Sequence, residues 1–280
     1  GLLVDRLWAA LPGAGVHVHC PARVHALEQA SDGVRIELDD GTRLDARLAI
    51  AADGAESTLR ALAGLEVERH DYGQRAVVAY VATERPHADT AWQRFLPTGP
   101  LAFLPCDDGT SSIVWTLPEA EAARVLALDE SAFEAELTHA FDARLGACGL
   151  RSARAAFPLR RQLARDYQAG RVLVVGDAAH VVHPLAGQGV NLGLRDVAAL
   201  RDSMAAALTA RQDWASAARL ARWARTRRSE NFVAAHAFDA INRVFGDDGV
   251  AATLLRGPLL GLAGRLPPLA QLFWRRASGL

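Results

Sequence analysis

The sequence predicts a mixed α/β protein (α+β): one α/β domain interrupted by an antiparallel-sheet domain and followed by helices. Three observations predict it. Two short apolar runs, Leu48 to Ala52 and Val172 to Val175, lead into acidic-glycine pairs, Asp53-Gly54 and Gly176-Asp177. Such runs suit strands buried on both faces of a parallel sheet. Between them, residues 73–117 read as strands separated by Pro and Gly turns, and after Gly189 the pattern is helical almost to the end. Ligands of open α/β sheets sit beyond the carboxyl ends of the strands, so the two acidic-glycine turns are expected to face one site.

The elements follow in order. Leu2, Leu3, Leu7 and Leu11 recur at helical spacing and stop at Pro12-Gly13. From Val16 to Ile50 the period changes to two, and Asp40-Gly41 supplies a hairpin turn. The insert offers strands at 75–83, 91–96, 101–105 and 111–117. Residues 119–126 and 131–145 read as amphipathic helices, the second with Ser131 as N-cap and Glu134 completing a capping box. A further strand precedes Arg171, and helix breaks fall at Gly246, Gly257-Pro258 and Pro267-Pro268. The expected divisions are residues 1–72 and 161–210 for the interrupted α/β domain, 73–160 for the antiparallel insert and 211–280 for the C-terminal helices.

Composition excludes several classes. With 280 residues, half of them hydrophobic, and six Trp and nine Phe spread along the chain, the sequence is that of a folded protein. A net charge of -1 leaves no global field to hold a polyanion, so no nucleic-acid partner is expected. All 31 basic residues are Arg. Cys20, Cys106 and Cys148 are odd in number and form no metal-ligand spacing, which points to a reducing compartment and no metal. No apolar run is long enough to span a bilayer and the start lacks signal-peptide order, so a cytoplasmic location is expected.

The densest chemistry lies in GDAAHVVHPLAGQGVNLGLRD, residues 176–196. Gly176 lets a ligand approach the strand end, and Asp177 can accept hydrogen bonds from sugar hydroxyls there. Gly187-Gln188-Gly189 opens a long helix whose first N–H groups lack intrahelical partners, a place that stabilises an anion by roughly 0.3–1 kcal/mol. His180 and His183 are the nearest titratable groups; no catalytic base is assigned to either, and no carboxylate or cysteine follows to make a metal site.

The strand followed by AADGAESTLR, and the strand followed by GDAAHVVHPLAGQGVNLGLRDVAAL, together resemble the flavin-dependent aromatic hydroxylases of the para-hydroxybenzoate hydroxylase type. WQRFLPTGPLAFLPC, SIVWTLP and the tail segment RWARTRRSEN are similar to the ubiquinone-biosynthesis hydroxylases within that superfamily, and the likeness runs from Leu2 to Leu280. It implies a partial FAD-binding Rossmann-like domain, FAD as cofactor and NAD(P)H as co-substrate. Asp53, Gly54, Ser57 and Arg60 are then the motif that touches flavin and nicotinamide, with Arg60 expected at the surface serving the nicotinamide cofactor or a phosphate. Gly176 and Asp177 would hold the ribityl chain, and Pro184, Gly187, Gln188, Gly189, Val190 and Asn191 would lie beside the isoalloxazine ring. The chain contains no G-x-G-x-x-G. On the resemblance, roughly a hundred residues carrying that pyrophosphate-binding turn are expected to precede Gly1, and FAD binding is expected to depend on them.

The implied activity is monooxygenation of the ring of a polyprenylated phenol with NAD(P)H and O2, the cofactor supplying the electrophile and the protein supplying position and dryness. A related hydroxylase of a soluble aromatic and a non-catalytic scaffold subunit are the alternatives. Trp92, Phe95, Leu101, Phe103 and Trp115 are candidates for an apolar substrate pocket on the insert, with a sheet core as the competing reading for each. Arg222, Arg225, Arg227 and Arg228 cluster in the tail with Trp223, where a helix could rest on the inner membrane or on a biosynthetic partner, or simply pack on the domain.

Overall fold

A computed structural model describes residues 2–182 and 189–246. Helix α1 (Leu2–Ala10) ends at a 3-10 turn over Pro12–Ala14, where proline at the first position and Gly15 in the left-handed conformation stop it. None of its residues is buried. Strands β1 (Val24–Gln29), β2 (Val34–Leu38) and β3 (Arg43–Ala46) form an antiparallel meander. The first strand begins at Val24 and not near Val16, because Val16 and Val18 are exposed and pair with no strand. The β2–β3 hairpin turns at Asp40-Gly41: the Asp40 carboxylate accepts from the Thr42 amide at 2.8 Å, and Gly41 takes φ 84°.

Strand β4 (Ala49–Ala51) leads through the Asp53-Gly54 turn to α2 (Thr58–Leu62) and then β5 (Val67–Thr83). Four antiparallel neighbours of the insert follow: β6 (Trp92–Leu96), β7 (Gly99–Pro105) and β8 (Ser111–Pro118), then, after α3 (Glu119–Ala127) and α4 (Glu130–Ala140), the short β9 (Cys148–Leu150). Strand β10 (Ala155–Ala164) pairs with β5 along its whole length. Both β5 and β10 run unbroken through residues 72 and 160, so the join between the two halves is a continuous two-stranded ribbon with no linker.

Helix α4 departs from its expected cap. It begins at Glu130 with Asp129 as N-cap, whose carboxylate accepts from the Ala132 amide at 2.8 Å, while the Ser131 hydroxyl donates to Asp129. The Glu134 carboxylate accepts instead from the Leu150 amide at 2.6 Å, tying α4 to β9. The helix stops at Ala140, where Asp142 and Ala143 adopt positive φ, five residues earlier than the apolar pattern suggests.

Strand β11 (Gln168–Ala169) is antiparallel to β12 (Val172–Val174), and β12 is parallel to β4 with Ala49 opposite Val172 and Ala51 opposite Val174. The two apolar runs are therefore neighbours across more than a hundred residues of chain. β12 is wholly buried; β4, the outer strand of this three-stranded sheet, leaves Ile50 at 43% exposure, so only one of its faces is covered. A 3-10 turn over Gly176–Ala178 delivers the chain to β13 (His180–Val181), which joins the seven-stranded sheet beside β10. Helices α5 (Gly189–Thr209) and α6 (Ala217–Gly246) close the described chain.

Two cores result. One gathers Val174, Ala179, Leu200, Leu220 and Trp223 around the β4–β12 pair under α5 and α6. The other lies between the seven-stranded sheet and α3 and α4, filled by Phe103, Ile113, Trp115, Phe133 and Leu137. Apolar burial at about 25 cal/mol per Å² makes each the main source of stability on its side.

Candidate flavin site

The β4–β12 register places the two acidic-glycine turns side by side. The Val175 amide donates to the Ala51 carbonyl at 3.0 Å, and the chains then leave the sheet as Asp53-Gly54 and Gly176-Asp177. Gly54 has φ 83° and Gly176 φ 57°, conformations that cost any other residue strain. At Gly176 the space is also limited by α5, because a Cβ placed on Gly193 would sit 3.2 Å from the Gly176 Cα.

The two aspartates differ. Asp53 is committed to α2: one carboxylate oxygen accepts from the Ser57 hydroxyl and the other from the Leu59 amide at 3.1 Å. Ser57 is the N-cap, buried, accepting from the Arg60 amide at 3.0 Å. Asp177 is exposed, and its carboxylate makes no hydrogen bond or ion pair with a described residue.

Arg60 is not at the surface. It is 4% exposed, and its Nη1 donates to the Ala178 carbonyl at 2.8 Å, so the side chain straps the first turn to the second. Burial pushes its guanidinium below the ordinary value and nearby Arg69 adds to this, against the pull of Glu56 and Asp53. In this position the planar guanidinium braces one turn against the other. Around it, Gln162 donates to the Ala55 carbonyl at 2.7 Å and accepts from Arg69 at 2.8 Å, while Glu56 pairs with Arg69 and Arg160. The ribbon of β5 and β10 is thereby pinned to the Asp-Gly turn.

Behind the Gly176-Asp177 turn lies a buried network that sequence reasoning missed. The Asp196 carboxylate on α5 accepts from four donors: the Gly176 amide at 3.1 Å, His180 Nε2 at 2.7 Å, Arg227 Nε at 2.8 Å and Asn231 Nδ2 at 3.0 Å. Asp196, His180 and Asn231 are fully buried. Burial alone works to raise the Asp196 carboxyl, and the bonds from His180, Asn231 and Arg227 outweigh it and hold it below its ordinary value. Tyr167 stacks on His180 with ring centroids 6.3 Å apart and shares Asn231, and burial pushes its phenol up. His180 is thus held by a carboxylate inside the protein. The available signal was charge in apolar surroundings: an aspartate inside an otherwise apolar helix face, with an arginine and an asparagine four apart in the tail.

Of the remaining sequence candidates, Gly189, Val190 and Asn191 form the first turn of α5, with Val190 exposed, whereas Pro184, Gly187, Gln188 and His183 lie outside the described residues. The expected pocket on the insert is corrected. Leu101, Phe103 and Trp115 point into the core beneath α3 and α4, where Phe103 packs on Phe141 at 4.3 Å and Trp115 near Phe133, so they are core and not pocket. Trp92 packs against the same core, its indole N–H donating to the His87 carbonyl at 3.1 Å and its ring lying under Arg144. Phe95 belongs to the opposite face, exposed like Tyr80, Leu104 and Phe157. Register joins these into one apolar surface: Ala155, Val78, Val114 and Ala102 lie opposite one another across β10, β5, β8 and β7. In the tail, Arg227 and Trp223 are buried inside the fold, so the basic cluster is not a single exposed face.

An acid with no partner among the described residues and two glycine turns lie at the ends of paired parallel strands, backed by α5 and joined to an antiparallel sheet, an arrangement that suits a nucleotide-type cofactor. The FAD binding domain family matches residues 4–236. Ubiquinone hydroxylase UbiL of Rhodospirillum rubrum is 40% identical over 259 residues, covering 92% of this chain and 60% of its own length. The 3-demethoxyubiquinol 3-hydroxylase of Escherichia coli is 36% identical over 280 residues, covering all of this chain and 71% of its own. Among solved structures, the anhydrotetracycline hydroxylase OxyS from Streptomyces rimosus shares the fold at TM-score 0.74 and 23% identity, over 99% of this chain and 55% of that one. The chain belongs to the family of FAD-dependent aromatic hydroxylases that includes those of ubiquinone biosynthesis. It spans about three fifths of the length of UbiL.

The residues present fit FAD. The turn at Gly176 brings backbone to a strand end with no side chain in the way, and Asp177 offers both carboxylate oxygens to hydroxyl donors.

Proposed function

We propose that the protein hydroxylates the aromatic ring of a polyprenylated phenol in ubiquinone biosynthesis, using FAD, NAD(P)H and O2. The observation that carries this reading is Asp177: at the end of β12, it is the acid of the two turns whose carboxylate no described residue uses. With FAD bound, its oxygens would accept hydrogen bonds from ribityl hydroxyls, and the first amides of α5 would favour negative charge nearby. Bound FAD supplies the oxidation of NAD(P)H and the activation of oxygen. Gly54, Gly176 and Gly189 give the backbone close approach to it, while Asp53, Ser57 and Arg60 act from behind by holding the two turns together.

The face of the seven-stranded sheet turned away from α3 and α4, with Tyr80, Phe95, Leu104 and Phe157, is the substrate side in this reading. A prenylated phenol has a large apolar area to bury there, and its tail partitions into lipid, which supports a protein that is cytoplasmic and peripheral to the inner membrane or held in a biosynthetic complex. No described helix is long and apolar enough to cross a membrane. UbiL and the Escherichia coli relative are named for ubiquinone and demethoxyubiquinol, which supports the same substrate class.

The test is turnover by the full-length protein. With FAD and NAD(P)H, a short-chain prenylphenol should accelerate NAD(P)H oxidation and gain one oxygen atom by mass. Equal kcat/KM on an unprenylated phenol would favour a soluble substrate, and absence of any FAD-dependent oxidation would favour a scaffold.

A further inference from the structure

The Asp196 carboxylate divides its oxygens between two parts of the molecule. Oδ2 accepts from the Gly176 amide and from His180, both in the segment that carries Asp177. Oδ1 accepts from Arg227 and Asn231, both on α6. Arg227 is itself oriented by the Asn231 side-chain oxygen at 3.0 Å and by Glu230, and Asn231 also donates to Tyr167. Two oxygens with four donors are fully engaged, in a place without solvent, so the carboxylate cannot move without breaking a bond on one side or the other.

The contact of α5 with the turn leaves no slack. Gly193 lies one helical turn before Asp196, and its close approach to Gly176 fixes the distance between helix and turn. Ala235, one turn beyond Asn231, packs with Leu163 of β10, with Val182 and with Leu192 of α5, so α6 is seated on the same unit from a second point. Arg227 and Asn231 bond to neither Gly176 nor Asp177; Asp196 stands between.

We propose that Asp196 is a positioning residue for the flavin turn and that Arg227 and Asn231 of the tail helix set its position, so that α6 governs how Asp177 is presented to the cofactor. This rests on the reading of Asp177 as a flavin ligand. The mechanism is preorganisation: a turn held in the binding geometry before the ligand arrives loses less freedom on binding, and the affinity gained that way disappears with the brace.

A double-mutant cycle on FAD affinity tests it. The full-length protein is titrated with FAD as four forms: unsubstituted, Asn231→Ala, Asp177→Ala and the double variant, with FAD raised far enough to half-saturate the weakest. Thermal unfolding of each cofactor-free protein is measured alongside. Asn231→Ala should raise the dissociation constant about five- to tenfold in the otherwise native protein and less than twofold when Asp177 is already Ala, a coupling within the usual range for residues of one network. Arg227→Lys, which keeps the charge and loses the fork geometry, should show the same pattern and stands in if Asn231→Ala fails to fold. An equal increase in both backgrounds would mean that Asn231 acts through stability alone, and no increase in the native background would mean that α6 does not set the turn; either result overturns the proposal. If Asp177→Ala binds FAD as tightly as the unsubstituted protein, the cofactor reading itself fails and takes this inference with it.

Discussion

Arg60 and Asp53 show how far a residue's motif can stand from its task. Both belong to a stretch whose residue types suit phosphate and nucleotide recognition, yet Arg60 is buried against the Ala178 carbonyl and Asp53 is taken up by the Ser57 hydroxyl and the Leu59 amide. Arg60→Ala should therefore cost about 1.5–3 kcal/mol, the range for a hydrogen bond from a charged group, read as a lower denaturant midpoint. A loss below about 0.5 kcal/mol, the usual surface value, would return Arg60 to the surface role. Asp196 makes a prediction in pH. Its folded value lies below the unfolded one, so its contribution is present above about pH 4, the ordinary carboxylate value, and is lost as pH falls through the folded value. His180, Arg227 and Glu230 surround it. The thermal midpoint of the unsubstituted protein should fall between about pH 5 and pH 3 more steeply than that of Asp196→Asn, since the exposed carboxylates titrate in both. Parallel curves would contradict this.

At the scale of elements, the positions of the strands were legible in the sequence and the facing of the sheet was not. Alternation locates β6, β7 and β8 to within a residue or two, but a period of two gives two faces and no sign of which one a helix layer will cover. The helices that decide it, α3 and α4, come later in the chain and bury Leu101, Phe103 and Trp115. Phe103→Ala should destabilise by about 3–5 kcal/mol, while Phe95→Ala should cost less than about 1 kcal/mol and act instead on KM for an aromatic substrate. Equal stability losses at both positions would mean that both faces are core. The α4 cap was misplaced for a simpler reason: Ser131 with Glu134 satisfies the capping-box spacing, but Asp129 is a better acceptor two residues earlier and Glu134 is taken by β9. Asp129→Ala should lower stability by about 1 kcal/mol and Ser131→Ala by much less, measured by chemical denaturation.

The whole molecule is organised around one adjacency, the parallel pairing of β4 with β12, and this was readable because both strands end in the same kind of acidic-glycine turn. The buried network behind the second turn was only partly readable: Asp196 interrupts an otherwise apolar helix face, but nothing brings it to Arg227 and Asn231 until α5 and α6 are packed against each other. The turn at the end of β12 is the one proposed to hold FAD, through Asp177, with Asp53 occupied at the start of α2. Titration of the full-length protein with FAD, followed by calorimetry, tests it most directly. Asp177→Ala should weaken binding by about a hundredfold, near 3 kcal/mol, and leave the cofactor-free thermal midpoint unchanged. Unchanged affinity in Asp177→Ala, with the protein still folded and yellow, would contradict the account.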